Sequence, residues 1–181
     1  MSSAATATLA YPSADLERSQ TSRLCLWPFD ESYITDRYLS WLNDPEVTRY
    51  LMTSSADRES VLRWLERFDG KHARIFAVLH VAHNLHIGNI TLQRITGDSG
   101  LMGTMIGDKR YWRSGHGTEA KSLLIQMAFI AMGLTRVWTS HHVDNYPSIR
   151  GNQKLGFKVT TRRGDVIYMA LRKENFVPWI R

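Results

Sequence analysis

The stretch "YWRSGHGTEA", residues 111–120, combines two glycines with a following helical pattern. Gly115 and Gly117 stand one residue apart, and glycine lets successive backbone N–H groups turn toward one anion at the positive end of a helix. Nearby Lys109 and Arg110 add positive charge. These types and this spacing predict an anion cradle, and its residues are Arg113, Ser114, Gly115, His116, Gly117 and Thr118.

Three interpretations of the glycine stretch compete. The simplest is a turn that happens to contain two glycines. The second is a dinucleotide fingerprint, since "GHGTEA" fits G-x-G-x-x-A and Asp144 follows at a suitable distance. That fingerprint should start directly after a strand, whereas "DKRYWRS" intervenes, and the chain ends too soon for a doubly wound domain. The third, a cradle for the diphosphate of a cofactor such as coenzyme A, fits best.

Proton-transfer chemistry has three candidates in the sequence. His141 and His142 lie on a predicted strand, so their side chains point to opposite faces and one should face inward. Asp108 follows another predicted strand and leads into the glycine stretch. Glu119, in the first turn of the predicted helix, is expected to be structural. His80, His83 and His86 lack the spacing of a metal site, and no metal is expected.

A second group of residues could bind a substrate. Tyr50, in "TRYL", is a candidate for the wall of a pocket, and Arg49 beside it could hold a phosphate or carboxylate. Trp41 and Trp64 have helical spacing, which favours places in the core.

Hydrophobic periodicity predicts the elements that must position these residues, and their order is β αα βββ α β α ββ. The predicted strands are 23–28, 74–81, 86–95, 101–107, 135–143 and a final hairpin turning at 163–165, and the predicted helices are 32–43, 57–68, 118–132 and 146–156. Residues 1–22 are polar and predict a mobile tail, and residues 23–181 predict one domain.

Composition excludes several classes of protein. The chain has 181 residues, a net charge of +6 and 43% hydrophobic residues, with no apolar run of the ~18 residues that span a bilayer. Its basic residues are scattered, so a nucleic-acid partner is disfavoured. The single Cys25 excludes an internal disulfide, and the expected location is the cytoplasm.

Three motifs in this order resemble the GNAT superfamily of N-acetyltransferases. "IGDKRYWRSGHGTEA" is similar to the family pattern Q/R-x-x-G-x-G/A, with Trp112 in place of the first residue. "NYPSIRGNQKLGF" resembles N-x-x-S…K-L-G-F, and "YITDRYLSWLNDPEVTRYL" resembles a substrate-side helix and loop. With "IGNITL", the likeness covers roughly residues 23–172 and is nearest to the ribosomal-protein and amino-sugar branch.

The resemblance implies an α/β fold: one mixed, twisted sheet of about six or seven strands, splayed at the cofactor site, with helices on both faces. It implies acetyl-CoA as co-substrate and direct transfer to a primary amine in a ternary complex. The strand "LMGTMIG" is expected to contain a bulge. The implied cofactor contacts, besides the cradle, are Met105, Ile106, Gly107, Asn145, Ser148, Asn152 and Lys154.

The same resemblance leaves the acceptor and part of the chemistry open. Many members carry a tyrosine acid where this chain has Asn152, which cannot serve as one. A small-molecule amine, with an amino sugar favoured, is expected, and a protein N-terminus or a polyamine is the alternative. A non-catalytic acyl-CoA-binding module is the alternative from another class, and a homodimer remains an open expectation.

Overall fold

A single eight-stranded sheet runs through the computed structural model, which describes residues 19–51 and 56–179. Its spatial order is β1-β2-β3-β4-β5-β6-β8-β7, and every neighbouring pair is antiparallel except β5 and β6. The strands are β1 Ser19–Gln20, β2 Leu24–Pro28, β3 Arg74–His80, β4 Leu85–Thr96, β5 Ser99–Ile106, β6 Arg136–His142, β7 Lys158–Arg163 and β8 Val166–Arg172.

In the described part of the chain, five α-helices connect and cover the strands. They are α1 Asp36–Leu42, α2 Pro45–Thr48, α3 Arg58–Leu65, α4 His116–Gln126 and α5 Tyr146–Lys154. Side-chain caps fix several starts, because their oxygens accept otherwise unpaired N–H groups: Asp57 forms a capping box on α3, and Asn145 accepts from the Ser148 N–H of α5. The predicted long helix continues beyond α4 as one π-helical turn, Met127–Ala131.

The β3 strand shows how the core is divided between the two faces of the sheet. Phe76 and Val78 pack in one buried cluster with α4, whereas Ile75 and Ala77 pack in a second cluster with α1. This alternation follows from the two-residue period of a strand. The predicted mixed sheet with helices on both faces is therefore confirmed, with eight strands rather than six or seven.

The β5 and β6 strands separate after a short parallel pairing. Their register runs only from Ser99↔Arg136 to Leu101↔Trp138, although β5 continues to Ile106 and β6 to His142. Beyond Leu101 and Trp138 the two strands are not paired, and we call the region between their unpaired parts the cleft. The predicted splay of the sheet is thus present.

The pairing of β5 with β4 is regular from Leu101 to Ile106, and the expected bulge lies just beyond, at the last residue of the predicted strand. The Gly107 N–H at 2.9 Å and the Asp108 N–H at 3.2 Å both bond the Ile87 C=O of β4, so two residues of one strand face one residue of its neighbour. A further irregularity lies between Gln93 and Thr96 of β4, where Arg94 has a φ of 49°. The sheet therefore opens where the β6 pairing stops, and the bulge lies at the same end of β5.

The last residues of the predicted tail, 1–22, belong to the sheet. Ser19–Gln20 forms β1 and pairs with β2, while residues 1–18 of that prediction lie outside the described residues. Within the described ranges, no helix is both long and apolar enough to cross a membrane.

Candidate functional site

The glycine loop delivers unpaired N–H groups to the start of α4. Gly115 is the N-cap residue, with a φ of 90° and no side chain to cap the helix. The first intrahelical bond runs from the Glu119 N–H to the Gly115 C=O at 3.0 Å, so the N–H groups of His116, Gly117 and Thr118 precede it. An anion is the natural partner for these donors.

Two further positions keep this loop open and shaped for an anion. Arg113 has a φ of 58°, the left-handed conformation that rotates successive N–H groups to one side. At Gly117 an added Cβ would meet nothing nearer than 3.6 Å, at Ile106 Cγ1. A Cβ is therefore tolerated there, and we expect a larger side chain to reach the space that a ligand of these N–H groups would occupy.

The polar side chains of the loop turn inward and hold it in place. The Ser114 hydroxyl donates to the Tyr111 C=O at 2.8 Å and lies 2.6 Å from His116 Nδ1, and His116 is only 7% exposed. Trp112 Nε1–H donates to the Ile106 C=O at 2.7 Å and so joins the loop to the end of β5. Ser114 and His116, both predicted cofactor contacts, would therefore act through their backbone.

A buried ion pair fixes the first turn of α4. The Glu119 carboxylate has no exposed area and accepts from Arg23 Nε at 2.8 Å, from a second Arg23 nitrogen and from the Thr21 hydroxyl at 2.5 Å. This contact ties α4 to the start of β2, and the geometry agrees with the structural role expected for Glu119.

The edge of β5 that faces the cleft offers one well-defined backbone group. The Gly107 N–H bonds the Ile87 C=O of β4 at 2.9 Å, whereas the Ile106 C=O points the other way, to Trp112. Because the N–H and C=O of one strand residue share a side, the Ile106 N–H is expected to face the cleft and Met105 to face β4. Of the three predicted β5 contacts, Ile106 is thus the best placed to meet an acyl oxygen. An added Cβ at Gly107 would lie 2.2 Å from the Trp41 ring, so packing already requires this glycine.

A polar pair lies where β6 and α5 meet. Asn152 Nδ2 is 2.7 Å from His141 Nε2, and Thr139 Oγ1 is 3.1 Å from the same nitrogen. Burial, aided by the charge of Lys121, lowers the pKa of His141 to about 4, so the imidazole is neutral at pH 7. Asn152 is fully buried, and its Oδ1 has no partner among the described residues. An unpaired buried acceptor is costly, which makes it a plausible contact for a bound ligand.

Lys121 of α4 is a buried cation beside this pair that the sequence did not single out. Its ammonium donates to the Ser148 hydroxyl at 2.9 Å and to the Ser148 C=O at 3.3 Å, and the residue is only 5% exposed. Burial lowers the pKa of Lys121 to about 7. A signal was present in the sequence, because Leu124, Ile125 and Ala128 follow at the spacing of one apolar helix face, so Lys121 starts a stripe that should be buried.

The two remaining predicted contacts on α5 serve different purposes. Asn145 caps the helix, and its side chain lies 3.4 Å from the Ser148 N–H. Lys154 is in the last turn, with its ammonium 4.8 Å from the centre of the Trp179 ring. The Lys154 ammonium therefore lies against Trp179 at the C-terminal end of α5 and not at the glycine loop.

Asp108 has an environment that disfavours proton acceptance. Its carboxylate pairs with Arg37 and with Arg110, the latter at 2.7 Å. Chiefly the Arg110 hydrogen bond lowers the pKa of Asp108 to about 2. Its side chain also accepts from the Arg110 N–H and so caps the turn at 109–111, which is the turn role weighed for it in the sequence.

The other predicted residues meet at the rim of the cleft, although they are far apart in sequence. The Tyr50 ring stacks on the His142 ring with centroids 5.8 Å apart, and the Tyr50 hydroxyl donates to the Asp144 C=O at 3.1 Å. The Arg49 guanidinium lies 5.5 Å from the Tyr50 ring centre. His142 Nδ1 accepts from the Asp144 N–H at 3.2 Å, which occupies its lone pair. We call Arg49, Tyr50 and His142 the rim platform.

The described residues contain no group of three or more His, Cys, Asp or Glu side chains that could hold a metal ion. The site thus contains the glycine loop, the edge of β5 that faces the cleft, and the rim platform. It also contains a buried polar cluster, formed by Lys121, His141, Ser148 and Asn152. These parts suit a long, anionic thioester laid through the cleft with an acceptor at its end.

Comparison with known proteins agrees with this geometry. Residues 23–158 match the model of the acetyltransferase (GNAT) domain. No curated protein matches the sequence.

Solved structures share the fold at low sequence identity. Spermidine N-acetyltransferase from Vibrio cholerae, in complex with CoA and spermine, has a TM-score of 0.73 and 16% identity over 86% of this chain and 98% of its own. Apo FdhC, a nucleotide-linked sugar GNAT, has a TM-score of 0.74 and 14% identity over 87% and 91%. Ribosomal-protein-S5-alanine acetyltransferase from Vibrio fischeri has a TM-score of 0.70 and 18% identity over 89% and 99%. By its domain and its fold, the chain belongs to the GNAT family and is an N-acetyltransferase.

Proposed function

We propose that this enzyme transfers acetyl from acetyl-CoA to the primary amine of an amino sugar, one that carries a nucleotide or another anionic group. The fold relatives are named for quite different amines, so the likeness in fold does not select an acceptor. The observation that carries the proposal is the rim platform, an aromatic pair with an exposed guanidinium beside it at the cleft.

The cofactor part of the proposal rests on the glycine loop. The diphosphate of acetyl-CoA would lie on the N–H groups at the start of α4, and the pantetheine arm would enter the cleft where β5 is no longer paired with β6. The Ile106 N–H would donate to the thioester oxygen as it becomes an oxyanion, which is where a fixed donor contributes most. Trp112 holds the neighbouring Ile106 C=O, so this donor is preorganised.

The chemistry is direct attack of a neutral amine on the thioester carbon. Of the three candidate bases, Asp108 is held in ion pairs, His141 has a pKa of about 4, and the basic nitrogen of His142 already accepts a backbone N–H. The environments of Asp108 and His141 disfavour proton acceptance at pH 7, and the Nδ1 atom of His142 is engaged by the Asp144 N–H. We therefore assign loss of the amine proton to water at the exposed rim, which predicts that this step contributes to the pH–rate profile a limb that rises with pH until the amine is neutral.

The rim platform supports a sugar more than a polyamine. Aromatic rings bind the apolar faces of sugars and bases, and a guanidinium binds phosphate. A polyamine would instead need carboxylates. Among the described residues, the Asp144 carboxylate lies 3.6 Å from His142 Nδ1, and the platform also carries the Arg49 cation on its Tyr50 ring, which disfavours a polycation.

An acceptor panel tests the proposal. Release of CoA from acetyl-CoA would be measured with free amino sugars, nucleotide-linked amino sugars, spermidine and a peptide with a free N-terminus. We expect the nucleotide-linked sugars to give the highest kcat/KM. Tyr50→Ala should raise the KM of the sugar by about tenfold and leave the KM of acetyl-CoA unchanged, since truncation removes one stacking face.

Arg49→Met tests whether the Arg49 guanidinium binds the anionic part of the acceptor rather than its sugar. It should raise the KM of a nucleotide-linked sugar but not of the free amino sugar, and Arg67→Met, at another exposed arginine, should change neither. Faster acetylation of spermidine or of the peptide would refute the sugar assignment. Binding of acetyl-CoA without turnover of any amine would favour a non-catalytic acyl-CoA-binding module.

A further inference from the structure

The leaving group of the proposed reaction needs a proton that no residue assigned so far supplies. When the C–S bond breaks, its electron pair stays on sulfur, and a CoA thiolate is a poor leaving group until it is protonated or paired with a cation. Asn152 stands at the position from which many similar enzymes supply a tyrosine, and a carboxamide has no useful acidity.

A buried cation lies beside this position. Lys121 of α4 points toward α5, where its ammonium bonds the Ser148 hydroxyl at 2.9 Å. Ser148 is in the first turn of α5, directly after the end of β6 that borders the cleft. An added Cβ on Gly151 would lie 3.7 Å from Lys121 Nζ and 2.9 Å from Thr118 Oγ1, so α4 and α5 approach closely at this point.

Lys121 is also unusual because it is buried without a counter-charge. Among the described residues its ammonium bonds only Ser148, and burial alone accounts for its lowered pKa of about 7. Buried lysines are rare unless paired, because removal of the charge from water is costly. A buried charge with a shifted pKa beside a cleft is a candidate for a functional group.

We propose that Lys121, acting through the Ser148 hydroxyl, gives its proton to the CoA thiolate as that thiolate leaves. This inference rests on the proposed function. The amine nitrogen bonds the carbonyl carbon, the C–S bond breaks, and sulfur takes the Ser148 hydroxyl proton while Ser148 takes one from Lys121. The proton lost by the amine passes to water, and water restores the proton of Lys121 when CoA departs.

The surroundings of Lys121 suit a group that donates near neutral pH. From β6, His141 faces the cluster and is neutral at pH 7, since its pKa is about 4. The α5 sequence has no carboxylate, and its cations Arg150 and Lys154 are exposed. Glu119, on the same helix, is paired with Arg23 of the β2 side, and β5 has no titratable side chain. A donor with a pKa of about 7 is acidic enough to protonate a thiolate, whose ordinary thiol pKa is ~8.5.

The thiol of bound CoA tests this assignment without an acceptor. The far-ultraviolet absorbance of the thiolate would be followed against pH for CoA in complex with the protein, with the desulfo-CoA complex subtracted. In the wild type the Lys121 charge should lower the thiol pKa by about one unit or more relative to free CoA. Lys121→Met keeps the length of the side chain and should return the thiol pKa to the free value. Lys158→Met, at an exposed lysine on β7, should behave as the wild type.

The outcomes separate the inference from the function on which it rests. If the wild type does not bind CoA, the proposed function and the inference both fail. If CoA binds but its thiol pKa equals that of free CoA, or is equally lowered in Lys121→Met, the inference fails and the proposed function stands. If Lys121→Met loses CoA affinity while the thiol pKa of the remaining complex is still lowered, Lys121 binds the cofactor and is not the proton donor. Thermal unfolding checks that this variant is folded, and removal of an unpaired buried charge should not destabilise it.

Discussion

At the scale of single residues, His86, which packs against α1, should make the stability of the protein depend on pH. It lies among aromatic rings, stacked on Tyr38 at 5.8 Å and 5.2 Å from the Trp41 ring centre, and Nε2–H donates to the Gly88 C=O at 2.8 Å. Burial lowers the pKa of His86 to about 4, against the opposing effect of the Gly88 bond. His86 is therefore held neutral in the folded protein.

This arrangement predicts a defined acid response. Between about pH 6.5 and pH 4 the unfolded chain binds a proton on His86 and the folded protein does not, so the free energy of unfolding falls as the pH falls through that window. His141 contributes in the same direction. His86→Phe should reduce the slope of unfolding free energy against pH by about one proton, measured by urea unfolding across the window. Equal slopes in the two proteins would contradict the assignment.

At the scale of elements, the contact between α4 and β2 should matter more than its single ion pair suggests. Glu119 is fully buried against Arg23, while Glu59 and Arg63 form an exposed pair within α3 at 2.7 Å. Glu119→Gln leaves the Arg23 cation without its partner, so it should lower the free energy of unfolding by ~3 kcal/mol. Glu59→Gln, the matched change, should cost ~0.5 kcal/mol or less. Similar losses in the two variants would show that Glu119 does not anchor α4.

The order of elements could be predicted from the sequence because each element carries its own period and boundaries. Asp57 marks the start of α3, and Gly164 lies within the predicted final turn. The β1 strand was missed because two residues carry no period, and their pairing with β2 is a tertiary choice. The separation of β5 from β6 is likewise invisible in the local sequence. Gly107, one of the glycines that suggested a bulge, does lie at one, and it also packs against the Trp41 ring.

The parts of the site that consist of consecutive residues could be predicted from the sequence, whereas the parts formed by contacts between distant segments could not. The glycine loop was found because its donors are consecutive. The partnership of Lys121 with Ser148, and that of His141 with Asn152, each joins two separate elements, so residue types alone did not reveal them. Tyr50 and His142 were each singled out, but only the fold shows that their rings stack.

At the scale of the whole molecule, the sheet is a scaffold that opens at one place. Six of the seven neighbouring strand pairs are antiparallel, one pair, β5 and β6, is parallel, and the cleft lies where that parallel pairing stops. The glycine loop lies at the start of α4, and the polar cluster lies between α4, α5 and β6. The rim platform borders the end of β6. The net charge of +6 favours capture of an anionic co-substrate such as acetyl-CoA.

The most direct measurement is calorimetric titration of acetyl-CoA into the wild type and into Gly117→Trp, with desulfo-CoA and NAD as control ligands. The account predicts that the wild type binds acetyl-CoA and desulfo-CoA but not NAD. It also predicts that Gly117→Trp, folded by circular dichroism, binds neither CoA form, because the indole enters the open space in front of the α4 donors. Undiminished acetyl-CoA binding by Gly117→Trp, or binding of NAD in preference to acetyl-CoA by the wild type, would contradict the assignment of the glycine loop as the CoA diphosphate site.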